Sequence, residues 1–224
     1  STAIVFDMSS VFLGDNKKMS PFDRNSIYGM YNRTENYQSD CSYISQIKAF
    51  KDNVSIKSCL SYTFSVSNSQ GASLIKDRPF TAEMTRSIML LKEKPYRPRM
   101  ADYRIGVFFT GREQLGEGAK TTAPVYYANR WDIQPSDTAA YLRGEKVKPT
   151  KQIVFYIDNT FPEKWKPYLR EGVTQWNELF EQIGFKDVVA AKDFPTDDPE
   201  FDPDNIKYSC VRYAPSSIEN AMGP

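Results

Sequence analysis

Over residues 53–66 apolar side chains fall on alternate positions: Val54, Ile56, Leu60, Tyr62, Phe64 and Val66 share one parity, and Ser55, Lys57, Cys59, Ser61, Thr63 and Ser65 share the other. A period of two sends one set to a core and the other toward solvent, so the run predicts a long strand with one buried face. Shorter runs rich in β-branched and aromatic residues at 4–8, 87–91, 103–110 and 125–133 predict further strands. Turn signals separate them at Gly14-Asp15-Asn16, Ser67-Asn68-Ser69-Gln70-Gly71 and Gly116-Glu117-Gly118. An antiparallel sheet with few helices follows for residues 1–133.

The pattern changes after Ile133. Residues 134–150 carry Pro135, Gly144 and Pro149 among basic side chains, the composition of a linker, with one helical turn at 136–142 capped by Ser136 or Asp137. Residues 152–157 form a near-continuous apolar run of strand length, which predicts a strand covered on both faces. Trp165, Leu169, Val173, Trp176, Phe180 and Ile183 then recur at spacings of three and four, predicting one long helix with a single buried stripe. Thr160 and Glu163 have capping-box spacing, but Pro167 moves the expected start to Glu163 or Lys164, and Gly184 marks the end. Two more short strands are expected at 188–191 and 208–213, separated by an acidic loop. The fold class read from these patterns is α+β: an antiparallel β-rich domain over 1–133, a linker over 134–150, and a strand, long helix and strands over 151–224.

Composition narrows the chemistry. The 224 residues, 40% of them hydrophobic and 14% aromatic, suffice to build real cores. Twenty-nine Lys plus Arg against 28 Asp plus Glu leave a net charge of +1, which makes no electrostatic case for a nucleic-acid or anionic-membrane partner. No apolar run approaches the roughly 18–20 residues that span a bilayer, and the residues after Ser1 lack a signal-peptide pattern. The three cysteines Cys41, Cys59 and Cys210 have no C-x-x-C spacing; a Cys41–Cys59 disulfide stays open, and three buried thiols are the simpler expectation.

Several candidate sites have a plainer structural explanation. Tyr and Phe at period two fit a core face better than a ligand platform. Arg97 and Arg99, in Lys94-Pro95-Tyr96-Arg97-Pro98-Arg99, could contact an anion or peptide, but the alternating prolines favour an extended connector whose arginines pair with carboxylates of the fold. Asp197, Asp198, Glu200, Asp202 and Asp204 make a dense acidic loop, yet the EF-hand pattern fails and Pro199 and Pro203 interrupt it, so a solvated turn is expected over a calcium site. The chain contains no histidine, which removes the usual base from serine or cysteine nucleophile schemes and the usual ligand from catalytic zinc. Carboxylate-pair hydrolysis is uninformative with so many acids, and residues 111–118 lack P-loop or dinucleotide spacing.

Residues 153–168, with Glu171-Gly172-Val173, Trp176-Asn177, Phe180-Glu181 and Gly184-Phe185, closely resemble a family of bacterial zinc-dependent metalloproteases of the metzincin type. The resemblance extends through Tyr208-Ser209-Cys210-Val211-Arg212-Tyr213 and Asn220-Ala221-Met222-Gly223-Pro224, and upstream to residues 97–108 and 5–16, which look like the β-rich domain preceding the protease in those proteins. It implies that the chain is the accessory domain plus the N-terminal part of a metzincin-like catalytic domain, stopping before the H-E-x-x-H helix that holds zinc. On this view the chain offers no catalytic and no metal-ligating residue, holds no cofactor, and is inactive alone, while the parent binds Zn and cleaves a peptide or protein at the cell envelope or outside the cell. Trp165, Trp176 and Phe180 would press the helix against the sheet, and an uncovered edge near 208–213 would favour self-association. The alternative is a self-sufficient, non-catalytic β-domain protein that binds peptide or glycan.

Overall fold

Serine, threonine and lysine opposite a row of Ile, Leu and Tyr make residues 53–66 the natural centre of a sheet, and the computed structural model places them there. It describes residues 5, 7–16, 20–22, 31–93, 96–116, 121–215 and 221. The chain divides into two compact units, residues 1–90 with 204–207, and residues 91–203 with 208–224. The class is α+β, strand-rich with few helices.

In the first unit, β1 (Tyr31–Tyr37), β2 (Tyr43–Ala49), β3 (Asn53–Asn68) and β4 (Ser73–Met89) form an antiparallel sheet. A strand has two edges, and β3 uses both: β4 runs along one, while β1 and β2 share the other, pairing with residues 62–68 and 54–59. At the handover from β1 to β2 the ladder is kept by Ser61, whose N–H donates to Ser42 Oγ and whose hydroxyl donates to the Cys41 carbonyl, at 3.0 and 2.9 Å. Side-chain bonds thus replace the ladder where neither strand reaches. Asn68 closes the β3–β4 turn by accepting from the Gln70 and Ala72 N–H groups, with Gly71 at φ +84°, a left-handed conformation that glycine adopts without strain.

Alternation decides burial in β3. Ile56, Ser58, Leu60 and Tyr62 are buried and their other-parity neighbours Lys57, Cys59 and Ser61 are not. Helix α1 (Ser9–Leu13) belongs to this unit, and its Phe12 is buried. Arg86 donates to the Phe12 and Val11 carbonyls, satisfying backbone groups at the helix end, and lies over the Phe12 ring. At the start of β3 the other parity is buried too. Asn53 donates to Ser87 Oγ and to the Asp204 carbonyl and accepts from the Ile206 N–H, while Lys48 pairs with Asp204 at 2.6 Å.

The second unit begins with an antiparallel hairpin, β5 (Phe109–Leu115) and β6 (Thr122–Ala128). The 103–110 run is a strand only from Phe109, since 103–105 turn under an Asp102 that accepts from the Arg104 N–H and guanidinium. The run at 4–8 falls partly outside the described residues, and its described members are in no strand. Of the expected turn at 116–118, Glu117 and Gly118 lie outside the described residues. Helix α2 (Thr138–Leu142) is capped by Asp137, which accepts from the Ala140 N–H at 2.9 Å. The stretch expected as a linker is packed: Ala140 and Val147 join Ile153, Phe185, Val188 and Val189 in one buried cluster.

The rest is a parallel sheet. Strands β7 (Ile153–Ile157), β8 (Val189–Asp193) and β9 (Ser209–Val211) lie in the order β8-β7-β9, with β7 central and parallel to both. Between β7 and β8 the expected single helix is two pieces, α3 (Lys166–Thr174) and α4 (Asn177–Gln182), joined by a tightened turn in which Glu178 N–H reaches the Gln175 carbonyl. Gly184 follows at φ +87° as the left-handed terminator. The helix start falls at Lys166, past the expected position, so that Pro167 occupies the first turn, where a missing N–H costs nothing.

The buried stripe needs correction. Leu169, Val173 and Phe180 are half-buried, but Trp165, Trp176 and Ile183 are 44%, 59% and 56% exposed. With Tyr168 and Leu179 they form a second, exposed set, spaced by three from Trp165 to Tyr168 and by three and four from Trp176 through α4, displaced from the packed one. Apolar spacing alone merged the two sets. Lys166 and Asn177 occupy the packed face instead, the latter donating to the Val189 carbonyl and accepting from its N–H, at 2.9 and 2.8 Å.

Candidate functional site

Arg99 is positioned by strand-like pairing, and Arg97 by a side-chain bond to its carbonyl, rather than by a helix or a turn. Ala128 N–H donates to the Arg99 carbonyl and Ala101 N–H to the Tyr126 carbonyl, both at 2.8 Å, and Met100 bridges Tyr127 in antiparallel register. Residues 99–101 therefore pair with β6 in strand fashion. One step further, the Arg130 guanidinium donates to the Arg97 carbonyl at 2.9 Å and stacks 4.1 Å over the Tyr96 ring, whose hydroxyl donates to the Trp131 carbonyl. Trp131 packs edge-on against Phe155, which ties this layer to the parallel sheet of the same unit.

The pairing opens a cleft of about 760 Å³ lined by Lys92, Tyr96, Arg97, Pro98, Arg99, Arg130, Asp132 and Gln134. Four of those side chains are cationic and one is a carboxylate, Asp132, which accepts from Gln134 Nε2 at 3.0 Å. Among the described residues none of the four cations has an ion-pair partner, and the expectation that Arg97 and Arg99 pair with carboxylates of the fold is not met. Sequence reasoning singled out Arg97 and Arg99; it missed Lys92 and Arg130, which only the non-local pairing brings alongside. The signal available was a Tyr-Arg and an Arg-Trp pair at the two ends of antiparallel partners.

A second cluster sits at the carboxyl ends of β7 and β9. The chain leaves β7, forms β8 on one side and returns to form β9 on the other, which makes the β7–β9 border a switch point of the sheet, a position where open α/β folds bind ligands. Asp158 occupies it and is fully engaged. Burial pushes its carboxyl up, but the Thr160 N–H and hydroxyl, the Tyr213 N–H and the Arg212 guanidinium at 3.4 Å together hold it below the usual carboxylate range. A depressed folded value stabilises the protein above the unfolded value of about 3.9, and that contribution is lost as pH falls through the folded one. Replacing Asp158 with asparagine should cost about 1–2 kcal/mol near neutrality, and urea titrations should show the gap to the native protein closing below about pH 4. A gap that persists unchanged into acid would contradict this assignment.

Cys41 is exposed and Cys59 and Cys210 half-buried, all three as free thiols, so the expectation of three buried thiols fails outright for Cys41 and is met only in part by the other two. Burial raises the Cys210 thiol, with Arg212 opposing and Asp158 and Asp202 reinforcing the shift. In the acidic loop Asp198 accepts from the Glu200 N–H, and Phe201 packs on Phe194, Tyr156 and Tyr208 with ring centres 4.7–5.1 Å apart. That anchoring fits an aromatic-pinned turn. No group of three or more His, Cys, Asp or Glu side chains able to hold a metal ion occurs among the described residues.

No helix among the described residues is long and apolar enough to cross a membrane. A family model described as a domain of unknown function, DUF5117, matches residues 1–136, which includes every described residue lining the cationic cleft. No curated protein and no solved structure matches the chain. With 136 of 224 residues matched, the chain belongs to the DUF5117 family.

Proposed function

We propose that this chain supplies the β-rich accessory domain and the N-terminal scaffold of a bacterial zinc-dependent metallopeptidase of the metzincin type, acting at the cell envelope or outside the cell. The observation that carries the reading is the set of residue blocks, in order, from Arg97-Pro98-Arg99 through residues 153–168 to Tyr208-Ser209-Cys210-Val211-Arg212-Tyr213. The second and third blocks fall on β7 with its helix and on β9, so the most family-like residues build one supporting sheet.

The residues present do not fit a catalytic zinc site. The chain has no imidazole to offer, and thiol or carboxylate clusters of suitable size are absent among the described residues. No catalytic step is therefore assigned to them. Their part in the proposed enzyme is mechanical: β7 sits between two parallel neighbours, Asn177 and the Phe185 cluster fix the helix to the sheet, and Asp158 ties β7 to the segment after β9. A site that must hold its ligands within a fraction of an ångström depends on such support.

The coding sequence beyond Pro224 tests the proposal. An H-E-x-x-H motif followed by G-x-x-H within about a hundred codons is expected. A stop codon or a continuation without that motif would overturn it in favour of a self-sufficient, non-catalytic binding protein.

A further inference from the structure

We propose that the cleft formed by Lys92, Arg97, Arg99 and Arg130 binds an extended acidic peptide segment. Such binding is independent of the metallopeptidase reading, since it uses residues within the DUF5117 match and no metal chemistry. Arg97 and Arg99 lie two apart around Pro98, which favours an extended Arg97; Arg99 is held against β6, the Arg97 carbonyl is held by Arg130, and both side chains line the same cleft. Alternate side chains of an extended chain share a face and repeat every 6.6 Å or so, at about 3.3 Å per residue. A peptide with carboxylates at alternate positions repeats at the same interval, so each guanidinium meets one carboxylate in the fork geometry that arginine favours.

The other groups fit that occupant. Arg130 is immobilised by its stack on Tyr96 and its bond to the Arg97 carbonyl, so presenting its remaining N–H donors costs little ordering entropy. Lys92 adds a fourth positive charge, and Asp132, held by Gln134, puts one carboxylate in the cleft that disfavours a ligand with charge at every position. A cavity of about 760 Å³ has room for several residues and is larger than one compact anion needs.

The test is anisotropy of a short labelled peptide with glutamates at alternate positions, compared with an isomer of the same composition whose glutamates are contiguous, and competed with inorganic phosphate and pyrophosphate. The alternating peptide should bind more tightly than its isomer, weaken as salt rises, and lose about tenfold or more when Arg97→Ala and Arg99→Ala are combined. The pair Arg97→Lys and Arg99→Lys keeps the charge but not the fork and should fall between the two. Circular dichroism identical to the native protein shows that the exposed substitutions leave the fold intact. Absence of binding, equal binding by the isomer, unchanged binding in the alanine pair, or phosphate competing as well as the peptide would each overturn the proposal.

Discussion

Replacing Phe185 with alanine is expected to destabilise the second unit by about 3–5 kcal/mol. Phe185 is 5% exposed, directly after the left-handed Gly184 that turns the chain inward. Its ring meets Tyr141 at 5.1 Å between centres and closes the cluster of Ala140, Val147, Ile153, Val188 and Val189. Those partners come from α2, from the stretch after it, and from both sides of the β7–helix–β8 crossover, so a cavity there removes contacts that no single element can restore by shifting. The backbone reinforces the arrangement: Val147 N–H donates to the Gly184 carbonyl and Lys186 N–H to the Val147 carbonyl. Urea unfolding should show the loss, and native-state hydrogen exchange should accelerate together at the amides of Val147, Ile153 and Val189. A loss under about 1 kcal/mol would mean that residues 134–150 are a loosely attached linker after all.

For the first unit, Leu60→Ala is expected to cost about 2–5 kcal/mol. Leu60 is 1% exposed at the middle of β3, opposite Ala82, with Ile56 and Tyr62 buried on the same parity. Its position is the point at which all three neighbours of β3 depend on one face staying apolar: β4 on one edge, and β1 and β2 meeting near Ser61 on the other. Register is strongly specified by that face, because a slip of one residue would exchange Leu60 for Cys59 or Ser61. Thermal unfolding read by circular dichroism, with hydrogen exchange at β3 and β4 amides, measures the effect. Exchange unchanged in β1, β2 and β4 would contradict the central role given to β3.

What could be read from the sequence follows from where burial is one-sided. β3 was legible because its two faces differ in chemistry at nearly every position. β4 was legible only at its end: Ser73 to Arg78 includes Lys76, Asp77 and Arg78, which carry no apolar rhythm, and the strand exists there because β3 offers it a ladder. β1, with the sequence Tyr-Asn-Arg-Thr-Glu-Asn-Tyr, is mostly exposed and is a strand for the same reason. The parallel core strand at 153–157 and the Gly184 terminator were legible because each rests on a local cause, continuous apolarity and a left-handed backbone. The helical stretch between them shows the limit, since Trp165 and Trp176 match the apolar spacing yet are largely exposed. Burial depends on what stands opposite, which spacing does not encode. The cleft illustrates the same point in charge: Arg97 and Arg99 could be picked out from their proline-spaced setting, but Arg130 joins them only through pairing across some thirty residues of chain.

Whether the scaffold of β7, β8 and β9 serves zinc chemistry completed elsewhere in the protein is measured most directly by metal analysis of the full-length gene product, stripped with chelator and reconstituted. The expected result is one tightly bound zinc per molecule and peptidase activity that appears and disappears with it, while the 224 residues alone show neither. Stoichiometric zinc and activity in the 224-residue chain, or a full-length protein that binds no zinc and cleaves no peptide, would contradict it.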